Sequence, residues 1–348
     1  MLGIGMNVGV DLGTATVLIY VEGKGIVLRE PSVVAIEQDT RRILAIGEDA
    51  RRMIGRTPGN IVAIRPMRDG VIADYEVTLA MLKHFLSRVC GSTFFSRPRI
   101  MICVPPGVTG VEKRAVLQAC AEVGARSTLI IEEPLAAALG AGLDIASPGA
   151  NMVVDVGGGT TDIAVLSLGG VVISESLRIA GDEFDEAVAR SVRREHNVLI
   201  GERTSEEIKM CIGTARVGLR DASMEVRGRD LVEGLPKSIL VTSTEVALAL
   251  EEPIAAIVDR VKSVLERTPP ELAADLAERG IVLTGGGSLL HGLDTVLAHE
   301  TGIPVRVAED PISCVARGTA VAFAYLSRSS KRPPGFPLES RSSIAECR

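Results

Sequence analysis

Residues 152–174 read MVVDVGGGTTDIAVLSLGGVVIS: an apolar, β-branched run ending on Asp155, a turn of three glycines and two threonines, and a second apolar run entered through Asp162. That punctuation predicts a β-hairpin. The same pattern stands 144 residues earlier in residues 7–29, NVGVDLGTATVLIYVEGKGIVLR, where Asp11 closes the first strand and Gly13, Thr14 and Ala15 form the turn. One hairpin recurring at so long a period predicts two related halves rather than a solenoid.

Outward from the hairpins, strands alternate with helices. Val77, Met81, Phe85 and Val89 fall on one face of a helix over about 78–89, and a second amphipathic helix runs over 111–123 to Gly124. Residues 99–104 (RIMICV) form a strand stopped by Pro105 and Pro106, and residues 129–131 another. Pro134 opens an Ala-rich helix ending at Gly140 or Gly142, since proline is tolerated where no N–H partner is needed. Farther on, helices are predicted over 181–196, around 206–212, over 243–267 and over 313–326. Charged strands run to about Thr242, and a strand at 280–284 leads into three glycines at 285–287. This alternation predicts layered α/β architecture.

Composition agrees and excludes other classes. A chain of 348 residues is expected to hold two domains, at roughly 100–200 residues each. With 46% apolar residues it is too hydrophobic to be disordered, and with 3% aromatic its core must be built from Ala, Val, Ile and Leu. The 38 basic residues against 44 acidic ones argue against a nucleic-acid partner, whose phosphates need a concentrated basic surface. Six scattered cysteines without a C-x-x-C pair give no zinc or redox motif and fit reduced thiols in a cytosolic chain. No uncharged apolar run approaches the length of about 20 residues that spans a bilayer, and the first residues lack the features of a signal peptide. After Ser327 the composition turns to Ser, Pro and Arg, predicting a disordered, weakly basic tail over 328–348.

Three Gly-rich turns follow apolar strands: 11–16 (DLGTAT), 155–162 (DVGGGTTD) and 284–288 (TGGGS). Successive backbone N–H groups in such turns can converge on one anion. Neither a G-x-x-x-x-G-K-S/T loop nor a G-x-G-x-x-G turn between strand and helix occurs. Hairpins that each carry an aspartate repel phosphate unless a divalent cation lies between them. Mg2+, held by one or two carboxylates and retained waters, fits Asp11 and Asp155. A single Gly-rich turn is more often only a turn; the matched pair with the third loop predicts a metal–polyphosphate clamp.

With residues 131–144 (IEEPLAAALGAGLD) and 281–287 (IVLTGGG), these segments resemble the ATPase fold shared by actin, the heat-shock chaperone ATPases and the sugar kinases. Residues 27–36 (VLREPSVVAI), 54–74 (IGRTPGNIVAIRPMRDGVIAD), 111–116 (VEKRAV), 178–183 (RIAGDE) and 199–209 (LIGERTSEEIK) narrow the resemblance to the MreB/Mbl bacterial actins, over about residues 7–325. The resemblance implies an actin-like α/β fold with two related large subdomains flanking an ATP cleft, 1–31 with 76–145 and 310–327, and 146–181 with 244–309. Each would carry a smaller subdomain, 32–75 and 182–243 respectively.

It further implies site roles. Asp11, Gly13, Thr14, Ala15, Asp155, Gly157, Gly158, Gly159 and Thr160 would face the phosphates, with Asp11 and Asp155 holding Mg2+ through water. Gly181, Glu206, Lys209, Gly285, Gly286 and Gly287 would line the adenosine end. Glu133 would orient the attacking water, with Thr160 close to the γ-phosphate. From the residues alone Glu133 reads first as an acidic first-turn residue favoured by the helix dipole. Glu206 and Lys209 read nearly as well as an exposed i,i+3 ion pair. Because a free glutamate has a pKa of about 4.3, Glu133 is expected to position water rather than take its proton.

The resemblance also implies a weak ATPase of the cytoplasm that polymerises into paired filaments, peripheral on the inner face of the cytoplasmic membrane. There it would work with membrane proteins of the cell-wall elongation machinery to determine cell shape. Phe94 and Phe95, beside Arg97 and Arg99 in residues 91–99 (GSTFFSRPR), read either as rings packed beneath their loop or as a membrane-inserting pair. Pro106 stands where the family commonly has serine, and Thr16 and Val17 replace a more polar pair. Two rival readings share the fold: a small-molecule kinase, for which no substrate-directed carboxylate stands out, and a weakly hydrolysing paralogue serving a specialised envelope. A chaperone-type ATPase would need a substrate domain that the polar tail cannot supply.

Overall fold

Two sheets repeat one strand order. In the first, Asn7–Leu12 pairs antiparallel with Thr16–Val21 and that strand with Gly25–Pro31, while Arg99–Val104 and then Ser127–Glu132 add in parallel on the other side. In the second, Asn151–Val156 pairs with Thr161–Ser167 and that strand with Gly170–Leu177, while Ile281–Thr284 and Val305–Val307 add in parallel. The duplication read in the hairpins thus extends to whole sheets. Register is kept as well: Asp11 lies opposite Leu18, and Asp155 opposite Asp162. This computed structural model describes residues 6–91, 97–106, 108–328 and 340–341.

Between the sheets lie the helices Glu133–Gly140 and Cys314–Arg328. Leu135, Ala136, Val315 and Phe323 join Met101 and Ile131 of the first sheet and Val153 and Leu166 of the second in one buried cluster. The two helices meet at backbone distance. A Cβ on Gly140 would stand 1.8 Å from the Cys314 carbonyl oxygen, and one on Gly318 1.8 Å from that of Ala136, so neither position admits a side chain. The Ala-rich stretch after Pro134 therefore builds a helix thin enough to be clasped on both sides.

Outer helices cover the remaining sheet faces. Tyr75–Cys90 is started by Asp74, whose side chain accepts from the Val77 N–H, and its Met81 and Phe85 are buried against the first sheet. Gly110–Glu122 and Ser243–Arg267 both begin with capping boxes, Thr109 with Glu112 and Thr242 with Glu245. Pro270–Arg279 and Leu293–Thr301 are helices that the sequence reading lacks. Both are short, and Leu276 is the sole buried side chain of the first, so the apolar period is faint. Each half also carries a small three-stranded sheet, one centred on Val34–Glu37 and the other on Ser223–Asp230. In the tail expected to be disordered, Ser340–Arg341 pairs antiparallel with the edge strand Ser127–Glu132. No described helix is long and apolar enough to cross a membrane.

Candidate functional site

The duplicated hairpins aim their turns at each other. A Cβ on Gly158 would stand 2.5 Å from the Cβ of Ala15, and one on Gly159 2.8 Å from Oγ1 of Thr14. Only glycine allows the two turns to approach this closely. Local hydrogen bonds hold each turn. Ser32 Oγ donates to the Gly13 carbonyl at 2.6 Å, and the Ser32 N–H to that of Ala15 at 3.0 Å. Opposite, the N–H groups of Gly181 and Asp182 donate to the carbonyls of Gly157 (3.2 Å) and Gly158 (2.7 Å), tying the second turn to the start of the helix Gly181–His196.

The third loop closes the arrangement. Gly285 has φ +80°, and a Cβ there would stand 2.2 Å from the Val156 carbonyl oxygen. Thr284 Oγ1 donates to Asp155 Oδ1 at 2.8 Å, fixing that carboxylate from a strand 129 residues distant. Together the loops line a cavity of about 590 Å3, within the range of small-molecule and cofactor sites. Every residue expected at the phosphate end lines it: Asp11, Gly13, Thr14, Ala15, Glu133, Asp155, Gly157, Gly158, Gly159 and Thr160. So do Gly181, Glu206, Lys209, Gly285, Gly286 and Gly287. Phe94 and Phe95 lie outside the described residues.

Four carboxyls line this cavity, and burial, reinforced by carboxyl neighbours at three of them, raises each. Burial, and then the charge of Asp155, pushes Asp11 up to about 8. Asp155 is pushed up to about 7 by burial and by Asp162, against the pull of the Thr284 hydroxyl. Asp162 is raised to about 6 by burial, opposed by the hydroxyls of Ser176 and Thr160. Glu133 stands well above the usual carboxylate range through burial, then Asp162, Asp11 and Asp155. Asp162 Oδ1 is buried without a hydrogen-bond partner, while its Oδ2 accepts from Thr160 Oγ1 at 2.9 Å. Hard oxygen donors in charge excess fit a hard divalent cation. No group of three or more His, Cys, Asp or Glu among the described residues is arranged to hold a metal ion.

At the other end of the cavity the alternative reading of Glu206 and Lys209 as a mutual ion pair does not hold. Lys209 Nζ lies 2.8 Å from Asp185 Oδ1 and donates to the Gly181 carbonyl at 2.9 Å. Glu206 instead pairs with Arg51 at 3.0 Å. Burial raises Asp185 to about 6 even against the Lys209 charge and hydrogen bond.

Several participants escape sequence reasoning. Asp162 was legible only as the end of a turn, although it occupies the register position that Leu18 holds in the first hairpin. Substituting an acid for an apolar residue in a duplicated strand is a signal that could have found it. Gly70, with φ +74°, donates its N–H to Thr14 Oγ1 at 3.3 Å, and a Cβ there would lie 3.0 Å from Thr160 Cγ2. Arg51, at the end of the helix Glu48–Arg51, and Arg65, just after the strand Ile61–Ile64, line the same cavity. Nothing in their local sequence marks them.

Duplicated α/β halves meeting at a glycine-lined cleft define the actin-like class of fold. The family described as MreB/Mbl protein matches residues 5–331, and the chain belongs to that family. It is 55% identical over 326 residues to the cell shape-determining protein Mbl of Bacillus cereus, covering 94% of this chain and 98% of that one. It is 56% identical over 325 residues to the cell shape-determining protein MreB of Escherichia coli K12, covering 92% and 94%. MreB5 of Spiroplasma citri, in its crystal structure bound to AMPPNP, superposes with a TM-score of 0.89 at 38% identity over 93% of this chain and 98% of that one. The same protein has also been solved bound to ADP.

Proposed function

We propose that the chain binds ATP with Mg2+ in this cleft, hydrolyses it slowly, and assembles with copies of itself into filaments that determine cell shape. The observation that carries the reading is the meeting of two matched aspartate-bearing turns, from opposite halves, at a cluster of four carboxyls. The cell shape-determining relatives and the AMPPNP complex of MreB5 support it. Asp11 and Asp155 would hold Mg2+, which when bound neutralises phosphate charge. The backbone N–H groups of residues 13–15 and 157–160 would cradle the phosphates. Thr160, its hydroxyl held by Asp162, would face the γ-phosphate, and Glu133 would orient the attacking water. Sedimentation with ATP and Mg2+ tests the reading. Concentration-dependent pelleting, with straight paired filaments by electron microscopy, is the expected result. ADP production that requires an added sugar or acid, without pelleting, would replace it with a kinase.

The filaments would lie in the cytoplasm on the inner face of the membrane and act with membrane proteins of cell-wall elongation. Phe94 and Phe95 would supply the lipid contact. Burying one Phe contributes about 1.5–3 kcal/mol and a basic residue at an anionic leaflet about 1 kcal/mol, too little to hold a monomer. Many loops aligned along a filament act together, so assembly and membrane binding reinforce each other. Phe94→Ser combined with Phe95→Ser is expected to reduce pelleting with anionic liposomes while ATP binding persists. Unchanged pelleting would remove the loop from the account.

A further inference from the structure

We propose that Arg51 and Arg65 latch the cleft shut over the nucleoside by pairing across its mouth, with Arg51 acting as a positioning residue for Glu206. Arg51 ends the helix Glu48–Arg51, and Arg65 follows the strand Ile61–Ile64 of the small three-stranded sheet of the first half. Facing them are Asp182, in the first turn of Gly181–His196, and Glu202 and Glu206 on the helix Glu202–Ile212, in the second half. Arg51 Nη2 donates to Glu206 Oε2 at 3.0 Å. Arg65 Nη2 donates to Glu202 Oε1, and its Nη1 lies 3.8 Å from Asp182 Oδ1. All five side chains line the cavity.

Three carboxylates on one lip and two guanidiniums on the other form a complementary pair of surfaces. With the cleft open, Asp182, Glu202 and Glu206 face one another as like charges; closed, the arginines separate and neutralise them. Glu206 links the latch to the ligand, and here the inference rests on the proposed nucleotide binding. Arg51 takes Glu206 Oε2, leaving Oε1 to accept from a ribose hydroxyl. A bound nucleoside and a closed cleft therefore hold the same carboxylate in one orientation, and release requires the pairs to break. The Arg65 side chain is 29% exposed, so solvent and salt reach the latch and screen it.

The test is release of a fluorescent ATP analogue from protein kept below its assembly concentration, chased with excess ATP in stopped flow. Arg65→Ala and Arg51→Ala are each expected to release it about 2- to 5-fold faster, the scale of one partly exposed charged pair. Raising the salt concentration should speed release from the unchanged chain and alter the variants less. The charge swap Arg65→Glu with Glu202→Arg should restore slow release, which a merely structural role for Arg65 does not predict. Should Arg65→Ala fail to fold, Arg51→Ala, at the partly exposed end of a four-residue helix, carries the measurement. Unaltered release from the folded single variants overturns the latch alone. No affinity in the unchanged chain overturns the nucleotide reading and the latch with it.

Discussion

With Glu133 replaced by alanine, single-turnover release of phosphate from ATP is expected to slow about 10²- to 10⁴-fold, while nucleotide affinity stays near that of the unchanged chain. Glu133 opens the helix Glu133–Gly140 and projects into the cavity beside Asp11, Asp155 and Asp162. The ordinary glutamate pKa of about 4.3 makes such a residue a poor proton acceptor at neutral pH. Burial and the three neighbouring carboxyls push Glu133 well above that range, so its ionised form is a stronger base than a surface glutamate. Only that ionised form accepts a proton. Turnover should therefore rise with pH through a window lying above that of a free glutamate. Glu133→Gln separates the two contributions, since it keeps shape and hydrogen bonding but cannot take a proton. Loss equal to that of the alanine variant assigns proton acceptance, and substantial retained turnover assigns orientation. Wild-type phosphate release from Glu133→Ala would remove the residue from the mechanism.

Asp11→Asn is expected to move affinity and stability in opposite directions. Asp11 keeps its proton up to about pH 8 in the folded chain, against an ordinary value of 3.8. Between those values the native state binds a proton that the unfolded chain has lost, so stability falls as pH rises across the window. Asparagine has no such proton. Without metal or nucleotide, the variant should match the unchanged chain near pH 4 and exceed it by about 1–3 kcal/mol near pH 8. Its Mg2+-dependent ATP affinity should fall about 10- to 100-fold, the usual scale for losing one oriented carboxylate around a hydrated ion. Thermal melts in chelator at the two pH values, with calorimetry for the affinity, check both halves. A variant that melts lower than the unchanged chain near pH 8 would show that the carboxyl cluster carries no repulsion to relieve.

How far the site was legible depended on the range of the signal. The turns at 13–15, 157–160 and 285–287 follow apolar strands directly, so their glycines and aspartates could be named before any contact was known. Thr284 could be quoted as the start of a glycine run but not recognised as the hydroxyl that fixes Asp155, because that bond joins parallel strands far apart in the chain. Lys209 and Glu206 line the cavity, but the mutual i,i+3 pair that their spacing also allowed is replaced by pairs with Asp185 and Arg51. Both partners come from outside their own helix, where spacing along one face says nothing.

The sequence by itself determined the hairpin duplication, the glycine turns and the alternation of strands and helices. Each is written in residues adjacent in the chain, through backbone preference and apolar period. Tertiary structure alone decided the ionic character of the cleft. A carboxyl's proton affinity and an arginine's partner depend on which charges share a poorly hydrated space, and Asp11, Glu133, Asp155 and Asp162 meet only when the two sheets close on the helices between them.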